Sequence, residues 1–572
     1  MIIITNPTAT RIKASAYELD VTPDGISVII AGESIAVLNP HTALDITEGE
    51  TGFIPDEDCG DVTFNRTYAG SDKAIFEWTC KSSLWEKKTT ILTCLEDRFE
   101  YSTAVCGNGT VDSVNYFLTR KDGGTKGSSY EFCEGFFPDV DLGSGNGTYP
   151  ANKSFEIYPT LSVPPMFYHS YRVAGIEPCI AFGLVAEAGE HNFTNFGYHV
   201  SNGTFSFRTN QDGHVTVNGE WTTPKIVVYT AENHYDAGEK YCSLYFDSGI
   251  CSRGSTAPKP RFWYGPIACG WIEQCAFGNS PEGDGSMLFS CRQMVYERMV
   301  ERLWARDLHP TCLIIDDKWQ DQYGTAKVST DRWPDLRGFI DRNLENGIHT
   351  FMWYQLWNCE GLPDECCILD EEGNSYIAGN RKVADPSHPI YKEILRENIH
   401  RIISSDEGCY NAAGLKLDFA FCQPHGRKTH TYSGKYGTEL LYDYISQIRT
   451  YAKEAKPDAV INASPCHPLF ASLVDQARLH DYDGSCRNAA EVFTHRAKLW
   501  GTANPCALID TDGGGFNTNR DMIRFMLNQP KIGIPDLYAV SDLPNFAFTE
   551  EEWEKIARAW RDYSEKADRL YK

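Results

Sequence analysis

The chain has 572 residues, too long for a single ordinary domain, so two or three are expected. A net charge of −25 with scattered Lys and Arg leaves no basic stripe for nucleic acid and no polybasic patch for a membrane surface. Hydrophobic content of 42% and charged content of 23% fit a globular protein, and 13% aromatic content provides flat apolar faces of the kind sugar rings stack on.

The N-terminus, MIIITNPTATRIKAS, lacks the basic and apolar regions of a secretory leader. No run of about 18 apolar residues is long enough to cross a bilayer. Twenty cysteines without a leader are expected to be reduced thiols in a cytoplasmic protein. Asn-x-Ser/Thr triplets at Asn65, Asn108, Asn146 and Asn192 occur at chance level and are discounted on the same ground.

Residues 1–250 predict β structure. GISVIIAGESIAVLN, KAIFEWTC, KKTTILTCLEDRFEYSTAVC, GTFSFRTN and KIVVYTA are β-branched, aromatic and often alternating, with Gly, Asn and Asp turns between them. Many strands in series predict an N-terminal antiparallel β-sandwich. The stretch 251–260, CSRGSTAPKP, is small, polar and Pro-bearing and predicts a linker.

From 261 to 572 the pattern changes. Eight short apolar runs lie at 262–274, 311–317, 349–357, 414–419, 459–464, 476–481, 505–512 and 532–542. Amphipathic helical segments alternate with them, and the last opens on Thr549 and Glu552 at capping-box spacing. Eight strand–helix units predict a (β/α)8 TIM barrel with its active site at the C-terminal ends of the strands.

Those ends carry the chemistry. Strand 1 is expected to end at Trp271 and Glu273, strand 2 at Asp316 and Asp317, and strand 3 at Trp353, Gln355 and Trp357. Strand 4 ends at Lys416 and Asp418, strand 6 at Arg478 and Asp481 with Asp483 beyond, and strand 7 at Asp510 and Asp512. Alternation puts Lys416 and Asp418 on one face, so the cation is expected to keep the carboxylate ionised. An ionised carboxylate facing a protonated one is the requirement for glycoside hydrolysis. Asp418 is the candidate nucleophile and Asp481 the candidate acid, with Asp483 second. A retaining pair stands about 5–5.5 Å apart and an inverting pair about 6.5–9.5 Å, and the shorter separation is expected.

Asp316-Asp317-Lys318-Trp319, the Trp-bearing third strand, Lys416-Leu417-Asp418 and Arg478 followed by Asp481 resemble the family 36 glycoside hydrolases. These are α-galactosidases and their relatives, related more distantly to families 27 and 31. The resemblance implies a β-sandwich ahead of a catalytic barrel and a retaining α-glycosidase with no cofactor or metal. It implies that Asp418 is the nucleophile and Asp481 or Asp483 the acid/base. It also implies that Asp316, Asp317, Lys416 and Arg478 contact the sugar. One of Trp271, Trp353 and Trp357 is expected to stack on the ring. The expected partner is an oligosaccharide or other glycoside, and a homo-oligomer stays open. Two departures matter, the first for the sugar and the second for the acid/base assignment. Lys318 stands where the family has Gly, and Arg478 is three residues before Asp481 rather than four.

Other readings use the same residues. An α-glucosidase-type specificity, a transglycosylase and a non-catalytic carbohydrate-binding protein all fit the scaffold. Gly513-Gly514-Gly515 after strand 7 could cradle a phosphosugar or simply turn. Cys466-His467 lacks partners at metal-ligand spacing. A metal-dependent amidohydrolase would need His-x-His on strand 1, where this chain has Trp271-Ile272-Glu273.

Overall fold

The computed structural model describes all residues except 6–8, 50, 71, 139–145, 157–163, 379, 482–487, 513–518, 543–546 and 572. Asp483 and the Gly513–Gly515 turn therefore lie outside the described residues.

The first 231 residues form a large antiparallel β region in which hydrogen bonds link nineteen strands. Two 19-residue strands, Arg98–Tyr116 and Thr204–Thr222, pair with each other and organise the rest. Along the first half of Arg98–Tyr116, buried and half-buried residues alternate, so Phe99, Tyr101 and Val105 face one core while their neighbours point away. No helix is expected in this half from its β pattern, yet His234–Phe246 is one, α1. Asn233 caps it, its side chain accepting from the amides of Tyr235 and Asp236. α1 ties the β region to the second half of the chain: Tyr241 Oη lies 3.0 Å from His467 Nε2, and Tyr235 Oη 2.7 Å from His495 Nδ1.

The second half builds an eight-stranded parallel sheet that curls into a nearly closed barrel. The strands are Ile267–Cys269, Cys312–Ile315, His349–Gln355, Gly414–Asp418, Val460–Ala463, Gln476–Arg478, Leu508–Asp510 and Asp536–Leu537, in chain order around the ring. The eighth pairs with the first, Ile267 opposite Asp536, and a single bridge from Asp510 to Ile534 spans the remaining seam. Each expected apolar run contains one strand. Helices follow the strands, among them Pro389–Ile403, Gly437–Ala455, Ala489–Ala503, Asn519–Ile532 and Glu550–Tyr571, except between the fifth and sixth, which only the 3-10 turn Pro468–Phe470 joins where a helix is expected. The last is closed at its start by the reciprocal Thr549–Glu552 box, with bonds of 2.8 and 3.3 Å. Among the described residues no helix is long and apolar enough to cross a membrane. The nineteen described cysteines are all free.

The first strand is shorter than its apolar run. Phe262 and Trp263 sit in a 3-10 turn, Arg261–Tyr264, and close the lower end of the lumen, where Gln476 Nε2 donates to the Trp263 carbonyl at 2.8 Å. Gly270 then ends the strand against the Tyr296 ring. A Cβ there would lie 2.2 Å from that ring, so only glycine permits the approach. Trp271–Gly278 is consequently a helix and not strand.

Candidate active site at the strand ends

Leu415 and Leu417 of the fourth strand pack outward into the main core, which turns Lys416 and Asp418 into the lumen. Lys416 adds to the charge that keeps Asp418 ionised, but its direct contacts are with other groups. Lys416 Nζ donates to Asp316 Oδ2 at 2.9 Å and to Tyr538 Oη at 3.2 Å, and lies 3.5 Å from Asp512. The direct cationic partner of Asp418 is Arg478, with Nη1 at 3.2 Å from Oδ1. Alternation gives the face a residue occupies but not the carboxylate a flexible ammonium selects, and Lys416 reaches across to the second strand.

Asp418 is held from several sides. Trp353 Nε1 donates to Oδ2 at 2.9 Å, and the Phe419 amide donates to Oδ1 at 2.8 Å. Phe419 reaches this position with φ +63°, a left-handed turn ending the strand. Burial alone would raise the Asp418 pKa. Arg478, Lys416, the indole N–H and the amide outweigh it, holding the carboxyl below the usual carboxylate range.

Arg478 is 1% exposed and binds three carboxylates: Asp418 through Nη1, Asp481 through Nη2 and Asp512 through Nε. Asp481 does not end the sixth strand, which stops at Arg478. His480 adopts φ +64° and folds the chain back, so Asp481 returns to the same guanidinium. The Asp481 side chain is 57% exposed, at the open side of the site, whereas that of Asp418 is 12% exposed. Arg496 Nη1 fixes the turn by donating to the carbonyls of Leu479, His480 and Asp481 at 2.9–3.0 Å.

The strand-2 pair divides. Asp316 is engaged on both oxygens, by Lys416 and Cys269 on Oδ2 and by the Asp317 amide on Oδ1. Asp317 accepts from Tyr323 Oη at 2.7 Å on Oδ1 only. Burial first, then the neighbouring Asp316 and Asp418, push its pKa up to about 7, while the Tyr323 hydroxyl works against them. Replacing Tyr323 with Phe should therefore move the Asp317 titration above 7. A pH profile or carboxyl NMR titration that stays put would remove Tyr323 from the site.

Of the three tryptophans, Trp353 lies against Asp418 and Trp271 is half-buried beside the lumen cluster. Trp357 does not face the lumen. It is 3% exposed with φ +69°, edge-on to Tyr444 at 5.1 Å, and packs in the main core. A turn after Gln355 rotates it out of strand alternation. Glu273 is likewise structural, accepting from the Val540 and Ser541 amides at 3.0 Å and from Arg302 at 3.1 Å.

Sequence reasoning placed Asp512 at a strand end without giving it a role, and missed Tyr538 and Asp536 as parts of this centre. Asp512 is the hub: Arg478 and Lys416 meet its Oδ2, and Tyr538 Oη its Oδ1. Their signal was an apolar strand end carrying unexplained polar groups. Oxygens of Asp510, Asp512 and Asp536 lie within 4.8 Å of one another. Burial and mutual repulsion raise the pKa of Asp510 and of Asp536, and neither Asp536 oxygen has a hydrogen-bond partner among the described residues. A raised folded-state pKa contributes stability below the unfolded value near 4 and loses it as pH rises through the folded value. Asp536→Asn should abolish that decline, so its stability relative to the wild type should grow from about pH 4 upward in urea titrations. A pH-independent difference would contradict the assignment.

No family model and no curated protein sequence matches the chain. Solved structures do. A family 31 sulfoquinovosidase from E. rectale, in complex with an aza-sugar inhibitor, has TM-score 0.61 at 12% identity, over 100% of this chain and 84% of its own. The neighbours are glycoside hydrolases. The galactosidase domain of an α-galactosidase–sucrose kinase has TM-score 0.54 at 12% identity, over 100% and 87%. A cycloalternan-degrading enzyme from Trueperella pyogenes, in complex with cycloalternan, has TM-score 0.54 at 11% identity, over 96% and 83%. At these identities the likeness is one of fold.

Proposed function

We propose that this chain is a retaining α-glycosidase acting on terminal α-linked sugars, with α-galactosides or α-N-acetylgalactosaminides as the leading substrates. The observation that carries the reading is the buried Asp418 carboxylate, kept ionised at a strand end and sharing the Arg478 guanidinium with Asp481. In this reading Asp418 attacks the anomeric carbon while Asp481 protonates the departing oxygen. Water, deprotonated by Asp481, then releases the sugar from the Asp418 ester. Asp317, with an oxygen unclaimed by the described residues, binds a ring hydroxyl, and Trp271, the half-buried one of the three tryptophans, flanks the ring. Asp316, Lys416 and Asp512 hold the frame. The domain assignment is a β-sandwich at 1–250, a linker at 251–260 and a (β/α)8 catalytic barrel at 261–572. The reaction calls for no cofactor.

A second reading keeps the chemistry and changes the sugar or the acceptor. Lys318 stands at φ +71° beside Asp317, where the family 36 pattern has Gly, with its ammonium on Glu360 at 2.9 Å. The extra side chain fills the sugar-gripping turn and favours an α-glucosidase-type specificity or transglycosylation. The neighbours' names cover a sulfoquinovosidase, a galactosidase and cycloalternan enzymes, so the sugar choice rests on the Asp-Asp and Lys-x-Asp motifs.

The test is a screen of nitrophenyl α-glycosides of galactose, N-acetylgalactosamine, glucose, xylose and rhamnose, with NMR of the first-formed anomer. Release of α-galactose or α-N-acetylgalactosamine supports the proposal. A β first product overturns retention. Binding without turnover on every glycoside favours a non-catalytic carbohydrate-binding protein.

A further inference from the structure

The segment after the third barrel strand carries three cysteines that the chemistry above does not use, Cys359, Cys366 and Cys367, and two of them touch. Cys359 Sγ and Cys367 Sγ lie 3.0 Å apart. Both belong to the buried core, 6% and 3% exposed, so only a small oxidant reaches them. The surrounding backbone is well tied. Asn358 bridges Val383, Cys367 bridges Ala384, and the Ala384 amide donates to the Trp357 carbonyl at 2.9 Å. The two sulfurs are thus held in contact by the ladder around them.

The environment separates the two thiols. Either sulfur can be the donor in this contact, and the Ser375 hydroxyl and Lys382 ammonium beside Cys367 favour its thiolate. Cys367 is the attacking thiolate and Cys359 the resolving thiol.

The segment between them reaches the candidate site. Glu360 Oε2 accepts from Lys318 Nζ at 2.9 Å and from the Tyr323 amide at 3.0 Å, and the Glu360 carbonyl accepts from Gly324 at 2.9 Å. Tyr323 in turn holds Asp317. Glu360 is therefore a positioning residue, one position from Cys359.

We propose that Cys359 and Cys367 are a reversible thiol–disulfide modification site whose closure resets Glu360, and with it Lys318 and Tyr323, at the mouth of the barrel. With hydrogen peroxide as oxidant, the Cys367 thiolate attacks one oxygen and breaks the O–O bond. A sulfenic acid and a hydroxide form, and the hydroxide takes up a proton. Cys359 sulfur then attacks the sulfenic sulfur, expelling the second hydroxide, which leaves as water with the Cys359 proton. Two thiols and one peroxide become one disulfide and two waters. Closure brings the sulfurs from 3.0 Å to about 2.05 Å, a movement that Glu360 must follow.

Bond formation is independent of the glycosidase reading, whereas its kinetic consequence rests on it. The experiment treats the full chain with a small excess of hydrogen peroxide, then quenches, alkylates and maps peptides by mass. The expected result is a Cys359–Cys367 link that dithiothreitol reverses. With the glycoside that the screen identifies, KM should rise roughly three- to tenfold, the range for weakening one charge-assisted hydrogen bond. Cys359→Ser should give no link, a Cys367 sulfenic acid that dimedone traps, and no KM change. Exposed Cys59 and Cys133 oxidising while Cys359 and Cys367 stay reduced would overturn the site. A link that leaves KM unchanged would overturn the coupling to Glu360. If no glycoside is turned over, the mass map still decides the thiol pair, and protease resistance of residues 356–385 reads closure.

Discussion

Asp418→Ala should lower kcat/KM on an α-glycoside by roughly 10⁴-fold or more, the scale on which removing a covalent nucleophile acts. The fold should survive, because Arg478 keeps Asp512 and Asp481 as partners and Trp353 and the Phe419 amide face the space that opens. Azide or formate should restore part of the turnover, azide giving a glycosyl azide of β configuration. Asp481→Ala should behave differently. Nitrophenyl substrates, whose leaving groups depart without a proton, should lose far less than alkyl glycosides. Equal losses on both substrates would move the acid role away from Asp481, with Asp483 next in line. An Asp418→Ala protein with wild-type turnover would end the proposal.

Arg478→Met should be the most destabilising single change in the barrel, costing about 3–5 kcal/mol, the range for breaking a buried pair and leaving its partners uncompensated. Three carboxylates lose one guanidinium, and Lys416 remains as the nearest cation, already committed to Asp316 and Tyr538. The loss should depend on pH. A depressed Asp418 pKa contributes stability above the unfolded value near 4 and loses it as pH falls through the folded value. The difference between wild type and Arg478→Met should therefore be largest at neutral pH and shrink in acid. Arg478→Lys should recover little, since one ammonium cannot span three separate carboxylates. Urea unfolding at several pH values reads all of this. A pH-independent loss would mean that Arg478 contributes packing and not charge.

The barrel was legible because its strands are short, apolar and buried on both sides, so each left a separate run between amphipathic helices. The β half was legible from alternation. α1 was not, since HYDAGEKYCSLYF has no clean apolar stripe, although Asn233 offered a capping signal. At the site, the strand-end position of Asp418 followed from period and motif. Its pairing did not, because which cation meets which carboxylate depends on side-chain reach across the lumen. Lys416 shows this by choosing Asp316. Asp481 read as a strand end because the turn depends on His480 adopting a left-handed conformation, which histidine tolerates better than most residues but which the apolar run around it does not signal. Trp357 read as lumen-facing because alternation was carried two residues past the real end of the strand.

The shared guanidinium has a consequence for timing in the proposed reaction. At rest the anionic charge sits on Asp418, beside Nη1. When Asp418 becomes a neutral ester, the proton has left Asp481 and the charge sits beside Nη2. Arg478 thus keeps its Asp512 contact through Nε while the charge of the catalytic pair passes from the carboxylate at Nη1 to the one at Nη2. The charge travels the width of one side chain while its counter-ion stays still. Little reorganisation of the surroundings is then needed for either half of the cycle, which is the economy a preorganised site offers over water.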